Sequence, residues 1–405
     1  MRDLKKKKNT AVSGIIDWRY FLFFFLGITV ATLFFLFSGS NPSNLKSIIE
    51  TADSSTNWQK WEYTTIKLER PDDTFPPMDI KPLDIIWIFE NKTANDVEQL
   101  IKSCNLDPLL EKSLLDKSRW KIELSGTIMS PTPEAVKNLP LEARQKIYSV
   151  LRKSPANFFH YNPFRLSADD LDEWLSNSGL SPENQMLFRQ ISWKEGNVVL
   201  FYDFQLFEHI IKNPQEKRTV AKSLSQIPAL LMRLKITPQT DVDAVVKYFE
   251  KGGGLEMRSF LESLKKLPNG SSINVSFLFP SFARIRLYTY PKYQEGKKPY
   301  DCFYSAMNFF NRPPDDRFLD GDYIQQVLHS QYYNAGTNYI FGDLIMLIEE
   351  DNKAIHMCVY IADNVVFTKN GAQELQPWIL MKLPDMLKIY QTNKPLKIVA
   401  YRKRN

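Results

Sequence analysis

Apolar and polar residues follow two spacings along most of this chain, and together they predict both helices and strands. Apolar side chains at every second position, or in short unbroken runs, are typical of strands, whereas apolar side chains three and four positions apart are typical of helices. A helix is predicted over 139–153, and two more after the start signals at Ser167 and Thr240. The predicted strands are 83–90, 197–207, 273–279 and 283–290. The chain is therefore expected to be an α+β protein.

The longest apolar stretch lies near the N-terminus and predicts a membrane-spanning helix. Residues 20–37 carry no charge and follow a lysine cluster at 5–8 and Arg19. A helix of about 20 apolar residues crosses a bilayer, and the basic flank is expected to stay cytoplasmic. A cleaved signal peptide is the alternative, although its apolar region is usually shorter. We therefore predict a single-pass inner-membrane protein with a cytoplasmic basic tail (1–14), a transmembrane signal anchor (15–38), a linker (39–57) and an extracytoplasmic, periplasmic remainder.

Length and composition allow more than one domain after this segment. The chain has 405 residues, of which 43% are hydrophobic, enough for two or three domains. We predict α+β structure of unknown role over 58–287 and a separate C-terminal domain over 288–405. The net charge of +6 is mild and no nucleic-acid-binding motif is present, so nucleic acid is not an expected partner. No metal-binding or nucleotide-binding motif occurs either, and no metal or other cofactor is expected.

The candidate chemistry begins at Cys302, one of three cysteines in the chain. Asp301 is a natural N-cap, which places Cys302 at the first position of a helix. The positive end of the helix is expected to lower the pKa of the thiol, and its free N–H groups suit an oxyanion. The alternative is that Cys302 is a small apolar residue in the core. A nucleophilic role also requires a general base and a polar group that orients the base.

The segment 355–371 supplies candidates for both groups. If it forms a hairpin, His356 and Cys358 lie on one face of its first strand. A two-residue loop would send Thr368 and Asn370 to the opposite face, whereas a three-residue loop pairs Cys358 with Thr368 and His356 with Asn370. We predict the three-residue loop, because its last residue is an asparagine, which tolerates a positive φ. Asn370, with Thr368 beside it, is then expected to orient His356.

Together these segments resemble a known family. The stretches YDCFYSAMNFF, FGDLIML and IHMCVYIADNVVFTKNG are similar to the motifs of the NlpC family of papain-like cysteine peptidases, which are bacterial cell-wall enzymes. The resemblance covers roughly the last quarter of the chain and implies a papain-like α+β domain, in which the helix that bears the cysteine packs on an antiparallel sheet. It also implies Cys302 as the nucleophile, His356 as the base and Thr368 as the third catalytic residue, with Gly342 and Asp343 at the opening of a strand.

The chain departs from the family pattern at three places. Phe303 and Tyr304 follow the cysteine where the family has small residues, so these two and Asp301 are predicted to line the substrate groove. Cys358 replaces a glycine, and a disulfide between it and Cys302 is one hypothesis if their Cα atoms lie within about 7 Å. Burial of Cys358 as a space-filling residue is the alternative. The third catalytic position carries a threonine instead of the usual histidine, asparagine, glutamine or aspartate.

The function predicted from these residues is a membrane-anchored, extracytoplasmic thiol hydrolase. Cys302 would attack an amide carbonyl and His356 would take the thiol proton, with Thr368 and Asn370 as the polar groups that orient the base. The resemblance implies that the substrate is a peptide bond in the stem peptides of peptidoglycan. Two alternatives stay open: an acyltransferase or amidase that acts on a lipid or another amide, and a catalytically inactive envelope protein that uses the fold as a binding module.

Overall fold

Four separate antiparallel sheets are present in the part of the chain that the computed structural model describes, residues 60–72, 84–292, 298–350 and 352–404. One sheet has six strands in the order β10-β15-β11-β12-β13-β14, and the other three have the orders β1-β8-β9, β2-β4-β3 and β5-β7-β6. The strands are β1 (Lys60–Leu68), β2 (Trp87–Glu90), β3 (Trp120–Glu123), β4 (Gly126–Met129), β5 (Phe164–Ser167), β6 (Trp193–Glu195), β7 (Val198–Phe201), β8 (Ile227–Ile236), β9 (Ser271–Asn274), β10 (Tyr332–Asn334), β11 (Leu344–Glu349), β12 (Ala354–Ala362), β13 (Val365–Lys369), β14 (Trp378–Lys382) and β15 (Leu396–Lys403).

The helices between the strands are short, and many begin at a side chain that caps their free N–H groups. Asp107, Thr132, Ser181 and Asn213 each cap a helix whose first residue is a proline. The helices are α1 (Ala94–Lys102), α2 (Pro108–Leu114), α3 (Pro133–Lys137), α4 (Leu141–Leu151), α5 (Phe158–Tyr161), α6 (Leu171–Asn177), α7 (Pro182–Ile191), α8 (Phe204–Ile210), α9 (Pro214–Ser225), α10 (Val242–Tyr248), α11 (Gly254–Lys265), α12 (Ser281–Arg286), α13 (Cys302–Met307), α14 (Gly321–Gln331) and α15 (Leu383–Tyr390), with 3₁₀ helices at Lys117–Arg119, Val275–Leu278 and Asp316–Leu319.

The six-stranded sheet is apolar on both faces, which explains why β12 is a nearly unbroken hydrophobic run. Met357 and Val359 of β12 belong to the hydrophobic core that α13 joins. Cys358 and Tyr360 belong to the core that α15 joins. Helix α13 packs on β12 and β13, so the sheet separates two apolar layers.

The fold class predicted from the sequence is wrong as stated. The longest helices of the described ranges, α9 and α11, have 12 residues each, well short of the roughly 20 that a membrane crossing requires. No helix within those ranges is both long and apolar enough to cross a membrane. The predicted transmembrane segment, 15–38, lies outside the described residues, together with the basic tail and the linker. The described chain is a mixed α+β structure with several sheets.

The core of the C-terminal third includes residues that precede the predicted domain boundary at 287. Phe249 and Phe279 pack their rings against Phe341, at centroid distances of 4.8 and 6.3 Å. Tyr288 donates its backbone N–H to the Trp378 carbonyl and its hydroxyl to the carbonyl of Leu230. The predicted boundary stays a prediction, and the hydrophobic core extends across it.

Three of the predicted strands are corrected by the structure. The strand predicted over 273–279 ends at Asn274, and Val275–Leu278 form a 3₁₀ helix. Residues 283–290 alternate like a strand, yet Ser281–Arg286 form helix α12. In this short segment the helical spacing also works, because it buries Phe282 and lets the Arg286 guanidinium cover its ring at 4.0 Å. The predicted strand over 197–207 ends at Phe201 and continues as α8, while the helix predicted over 139–153 is confirmed as α4.

The loop between β12 and β13 is shorter than the three-residue loop predicted over 362–364. Asp363 and Asn364 alone form it, with φ of 47° and 57°, and Ala362 pairs with Val365. Two consecutive residues with positive φ are typical of a type I′ hairpin turn.

A β-bulge compensates for the shorter loop. The register shifts between Tyr360 and Ala362, and further from the turn Val359 pairs with Phe367. This is the register that a three-residue loop would also have produced, because the bulge adds the residue that the loop lacks. Thr368 consequently lies on the same side of the sheet as His356, and the two side chains are in contact.

Candidate functional site

Cys302 is the first residue of α13 and directly follows Asp301, the residue that caps this helix. The Asp301 side chain accepts a hydrogen bond from the Tyr304 N–H at 2.7 Å, which ties the start of the helix to its preceding residue. Cys302 itself is only 4% exposed. Backbone N–H groups of Met357, in β12, and of Phe303 donate hydrogen bonds towards its sulfur. Two of the requirements of an acyl-transfer site, a thiol and converging N–H donors, are thus met at one place.

The thiol is less acidic than the sequence predicted. Burial, followed by the negative charge of Asp301, raises the pKa of Cys302 to about 12. The N–H donors and the positive charge of Lys369 lower the pKa but do not offset these two effects. The expectation that the helix end lowers the pKa of Cys302 below its ordinary value is therefore wrong, because desolvation outweighs the partial charge of a short helix.

His356 lies in β12 with its ring fully buried and one nitrogen engaged. Its Nε2 lies 2.9 Å from Thr368 Oγ1, and the Thr368 hydroxyl donates to Asn370 Oδ1 at 3.2 Å. A hydroxyl has one hydrogen, so Thr368 accepts from the ring and Nε2 carries the proton. The Nδ1 atom is then the basic nitrogen, and among the described residues it has no hydrogen-bond partner.

Tyr390 of α15 and Arg165 of β5 determine the electrostatic surroundings of His356. The Tyr390 ring stacks on the imidazole with centroids 4.2 Å apart and planes inclined by 23°. Burial, and to a smaller extent the charge of Arg165, lower the pKa of His356 to about 3. At neutral pH the ring is therefore neutral, and its Nδ1 lone pair is free to accept a proton.

Lys369 is a charged residue of the site that the sequence analysis missed. It follows Thr368 in β13 and is fully buried, and its Nζ donates to the carbonyls of Gly371 and Gln373, at 2.8 Å each. Burial lowers the pKa of Lys369 to about 7, against the charges of Asp301 and Cys302, which raise it. The only signal in the sequence was a lysine within an otherwise buried strand.

A segment of the middle region packs beside the site. The Gln373 side chain donates to the Asn162 carbonyl at 2.6 Å, and the Lys353 ammonium lies 4.5 Å from the centre of the Tyr161 ring. Burial, followed by the charges of Asp301 and Cys302, raises the pKa of Tyr161, so this phenol lies within electrostatic range of the thiol. Tyr161 and Asn162 therefore belong to the surroundings of Cys302.

The residues predicted to line the groove lie in different surroundings. Tyr304 is fully buried, stacks on Tyr300 with centroids 4.4 Å apart and donates its hydroxyl to Asp316. Phe303 is half-buried against the core of the six-stranded sheet. Asp301 is held in its capping role. Of these three, Tyr304 is a core side chain in the structure, since the helix turns it away from the thiol.

Gly342 and Asp343 directly precede β11, which begins at Leu344. Gly342 has φ +91°, and a Cβ there would lie 2.6 Å from the Phe310 ring, so glycine alone fits without strain. Asp343 is buried and pairs with Arg402, whose Nε and Nη2 donate at 2.8 and 2.7 Å. This ion pair joins the start of β11 to β15.

Cys358 is fully buried in the core on the α15 side, and Cys104, Cys302 and Cys358 are all free thiols. Cys358 interacts electrostatically with Cys302, so the two sulfurs lie in the same region. Within the described residues, no group of histidine, cysteine, aspartate or glutamate side chains has an arrangement that could hold a metal ion.

A second buried polar cluster lies in the middle region, away from the thiol. Arg144 and Asp203 form a buried ion pair, and the Tyr148 hydroxyl donates to the same carboxylate. His160 packs edge-on against Tyr148, and burial, then the charge of Arg144, lowers the pKa of His160 to about 3. Arg144, Tyr148 and Asp203 bond to one another, whereas among the described residues the Nε2 atom of His160 and the Nε atom of Arg144 have no hydrogen-bond partner.

The structure joins His356, Thr368 and Asn370 in one hydrogen-bonded chain, and Cys302 contacts the backbone of Met357, the next residue after His356. Among the described residues no hydrogen bond joins Cys302 to His356. Lys369 acts electrostatically on Cys302, and Arg165 on His356. The resemblance to the NlpC family continues to depend on the motifs quoted above. Comparison of the chain with protein-family models, with curated proteins and with solved structures gave no significant match.

Proposed function

We propose that this protein is a thiol hydrolase that cleaves amide bonds, with peptide bonds of peptidoglycan stem peptides as its substrates. One observation carries the proposal: a thiol at a capped helix start adjoins the Met357 amide, next in the chain to a histidine whose Nε2 is held by Thr368 and whose Nδ1 is unoccupied. The motif resemblance to the NlpC family supports the same chemistry and suggests the substrate.

The reaction begins with attack of the Cys302 sulfur on the amide carbonyl carbon. As the S–C bond forms, the thiol proton moves to Nδ1 of His356, and the backbone N–H groups of Met357 and Phe303 stabilise the oxyanion. His356 then donates this proton to the departing amine as the C–N bond breaks, which leaves a thioester. Water attacks the thioester, His356 accepts the water proton, and the C–S bond breaks to release the acid and restore the thiol.

The pKa values of the two groups determine when the proton moves. Because the pKa of Cys302 is raised to about 12 and that of His356 is lowered to about 3, the resting pair is a neutral thiol and a neutral imidazole. Proton transfer therefore accompanies the attack rather than precedes it, as in a hydroxyl nucleophile with a general base.

The proposal is tested with the full chain and two variants on intact and enzymatically digested peptidoglycan. The wild type and Cys104→Ala, which alters a half-buried thiol remote from the site, are expected to release fragments with new amino groups. Cys302→Ala is expected to release none. Equal release by Cys302→Ala, or no release by the wild type, would reject the hydrolase.

A second candidate is a non-catalytic module that binds cell-wall peptides. It is favoured by the 4% exposure of Cys302 and by the raised pKa of its thiol. In that case the wild type and Cys302→Ala would co-sediment equally with peptidoglycan, and neither would release fragments.

A further inference from the structure

Arg165 of β5 is a half-buried side chain with one buried N–H group, and it contacts the ring that stacks on the proposed base. Its Nη1 atom is buried and makes no hydrogen bond to any described residue. The guanidinium carbon lies 5.1 Å from the centre of the Tyr390 ring, and the same ring stacks on His356. Arg165 and His356 therefore contact the same ring, and the charge of Arg165 acts on the imidazole.

An unpaired buried guanidinium N–H is unusual and requires an explanation. Arginine is charged at every accessible pH, and its planar group has five donors. Burial of a charged donor without an acceptor is costly, so native proteins rarely leave one unsatisfied unless a water molecule, an ion or a ligand supplies the acceptor. The Nδ1 atom of His356, whose fully buried ring also contacts Tyr390, is a second polar atom without a partner among the described residues.

The other charges around the thiol have partners of their own. Asp301 accepts from the Tyr304 N–H, and the Lys369 ammonium donates to two carbonyls. Glu374 lies 4.0 Å from Arg70 and also interacts with Lys369. Within the described residues, neither Lys369 nor Arg165 is in an ion pair with a carboxylate, but the Lys369 ammonium has two carbonyl acceptors whereas Arg165 Nη1 has no acceptor.

Building on the proposed function, we propose that Arg165 is a substrate-binding residue that recognises a carboxylate adjacent to the scissile amide. The substrates would then be acidic peptides or other carboxylated amides. A carboxylate matches the guanidinium fork with two parallel hydrogen bonds, which fixes orientation as well as charge. A bound carboxylate would also offset the positive charge that weakens His356 as a base, so acidic substrates would gain in kcat as well as in KM.

The test compares two alkylating reagents that differ only in charge. Iodoacetate transfers a carboxymethyl group to sulfur, and iodoacetamide transfers a carbamidomethyl group. In both reactions the S–C bond forms, the C–I bond breaks, iodide leaves and the thiol proton passes to solvent. Labelling of the full chain at pH 9 is followed by peptide mapping, so that Cys302 and Cys104 are quantified separately. The ratio of the iodoacetate rate to the iodoacetamide rate at Cys104 provides the internal reference.

We expect this ratio at Cys302 to exceed that at Cys104 by roughly tenfold or more, as a charge-assisted hydrogen bond provides. In Arg165→Met the two ratios become equal, Arg165→Lys keeps part of the preference, and Arg189→Met, a surface control, keeps all of it. Thermal unfolding of each variant confirms that it is folded.

Equal ratios at the two cysteines in the wild type overturn the assignment, as does a preference that persists in folded Arg165→Met or an absence of iodoacetate labelling at Cys302. This outcome is independent of the hydrolase proposal. If Cys302 prefers iodoacetate but the protein releases no cell-wall fragments, the carboxylate site is present and the hydrolase proposal fails. If the protein releases fragments but Cys302 shows no preference for iodoacetate, the hydrolase proposal stands and the assignment of Arg165 fails.

Discussion

Thr368 accepts a hydrogen bond from His356 Nε2 across 2.9 Å, because its own hydroxyl proton is already donated to Asn370. This direction of bonding determines which ring nitrogen carries the proton. Asn370 therefore acts on the base through Thr368 and not by direct contact, the reverse of the order that the hairpin geometry suggested. The Thr368 hydroxyl can therefore hold the His356 ring in this orientation, because the hydroxyl donates its own proton to Asn370.

The tautomer of His356 is the first prediction. Asn370→Leu removes the acceptor and frees the Thr368 hydroxyl to donate to Nε2, which moves the ring proton to Nδ1 and removes the basic lone pair. We expect the rate of amide cleavage to fall by roughly a hundredfold, as for loss of a general base, while Asn370→Asp, which retains an acceptor, stays near wild type. The four histidines of the chain permit direct observation by ¹⁵N NMR. An unchanged His356 tautomer in Asn370→Leu would contradict the relay.

The reactivity of Cys302 is the second prediction. Since burial and Asp301 raise the thiol pKa, Cys302 is expected to react with iodoacetamide more slowly than half-buried Cys104 from pH 7 to 10, with no plateau in that range. Asp301→Asn keeps a capping side chain and removes the charge, so it should lower the pKa and speed the reaction severalfold. A plateau near pH 8.5 in the wild type, or no acceleration in Asp301→Asn, would show that the account of the thiol is wrong.

Acid sensitivity of the fold is the third prediction. The pKa values of His160 and His356 are about 3 in the folded protein and 6.5 in an unfolded chain. Between these values the unfolded state binds more protons, so the free energy of unfolding falls as the pH falls from 6.5 to 3, by about 1.4 kcal/mol per pH unit for each histidine. Denaturant titrations of wild type, His160→Gln and His356→Gln measure the slope. An equal slope in all three would rule out this contribution.

The fourth prediction concerns Lys369 and the pH dependence of stability above pH 7. Its pKa is about 7 in the folded protein against 10.5 for a free lysine, so the unfolded state again binds more protons, and stability rises with pH between 7 and 10.5. Lys369→Met should flatten this rise and, by removing a positive charge, slow the alkylation of Cys302. The exposed Lys388→Met is the control. A slope that is the same in both variants would argue against a buried, depressed lysine.

The parts of the site that depend on neighbours in sequence were open to prediction. Asp301 caps the helix that begins at Cys302 because capping involves only the next few residues. The side shared by His356 and Thr368 followed from the alternation of a strand, although the bulge that preserved this register gave no sequence signal. The strand predicted over 283–290 is wrong, because a short segment fits both the strand spacing and the helix spacing. Tertiary packing decides between them, and Ser281–Arg286 are helical.

The electrostatics of the site were not predictable in the same way. The pKa of Cys302 depends mainly on its burial, and that of His356 on burial and on Arg165, which is more than a hundred positions away in sequence. Nothing in the local sequence around Arg165 distinguishes it from an ordinary strand residue. Its position beside Tyr390 results from the packing of β5 on α15, which only the folded chain reveals.

The proposed reaction requires Cys302 as the nucleophile and His356 as its base. It is tested by the rate at which new amino groups appear when the full chain acts on digested peptidoglycan, for the wild type, Cys302→Ala and His356→Gln. We expect steady release by the wild type, none by Cys302→Ala and a rate at least roughly a hundredfold lower for His356→Gln. Release that continues unchanged in Cys302→Ala, or no release by the folded wild type, would show that Cys302 does not hydrolyse these bonds.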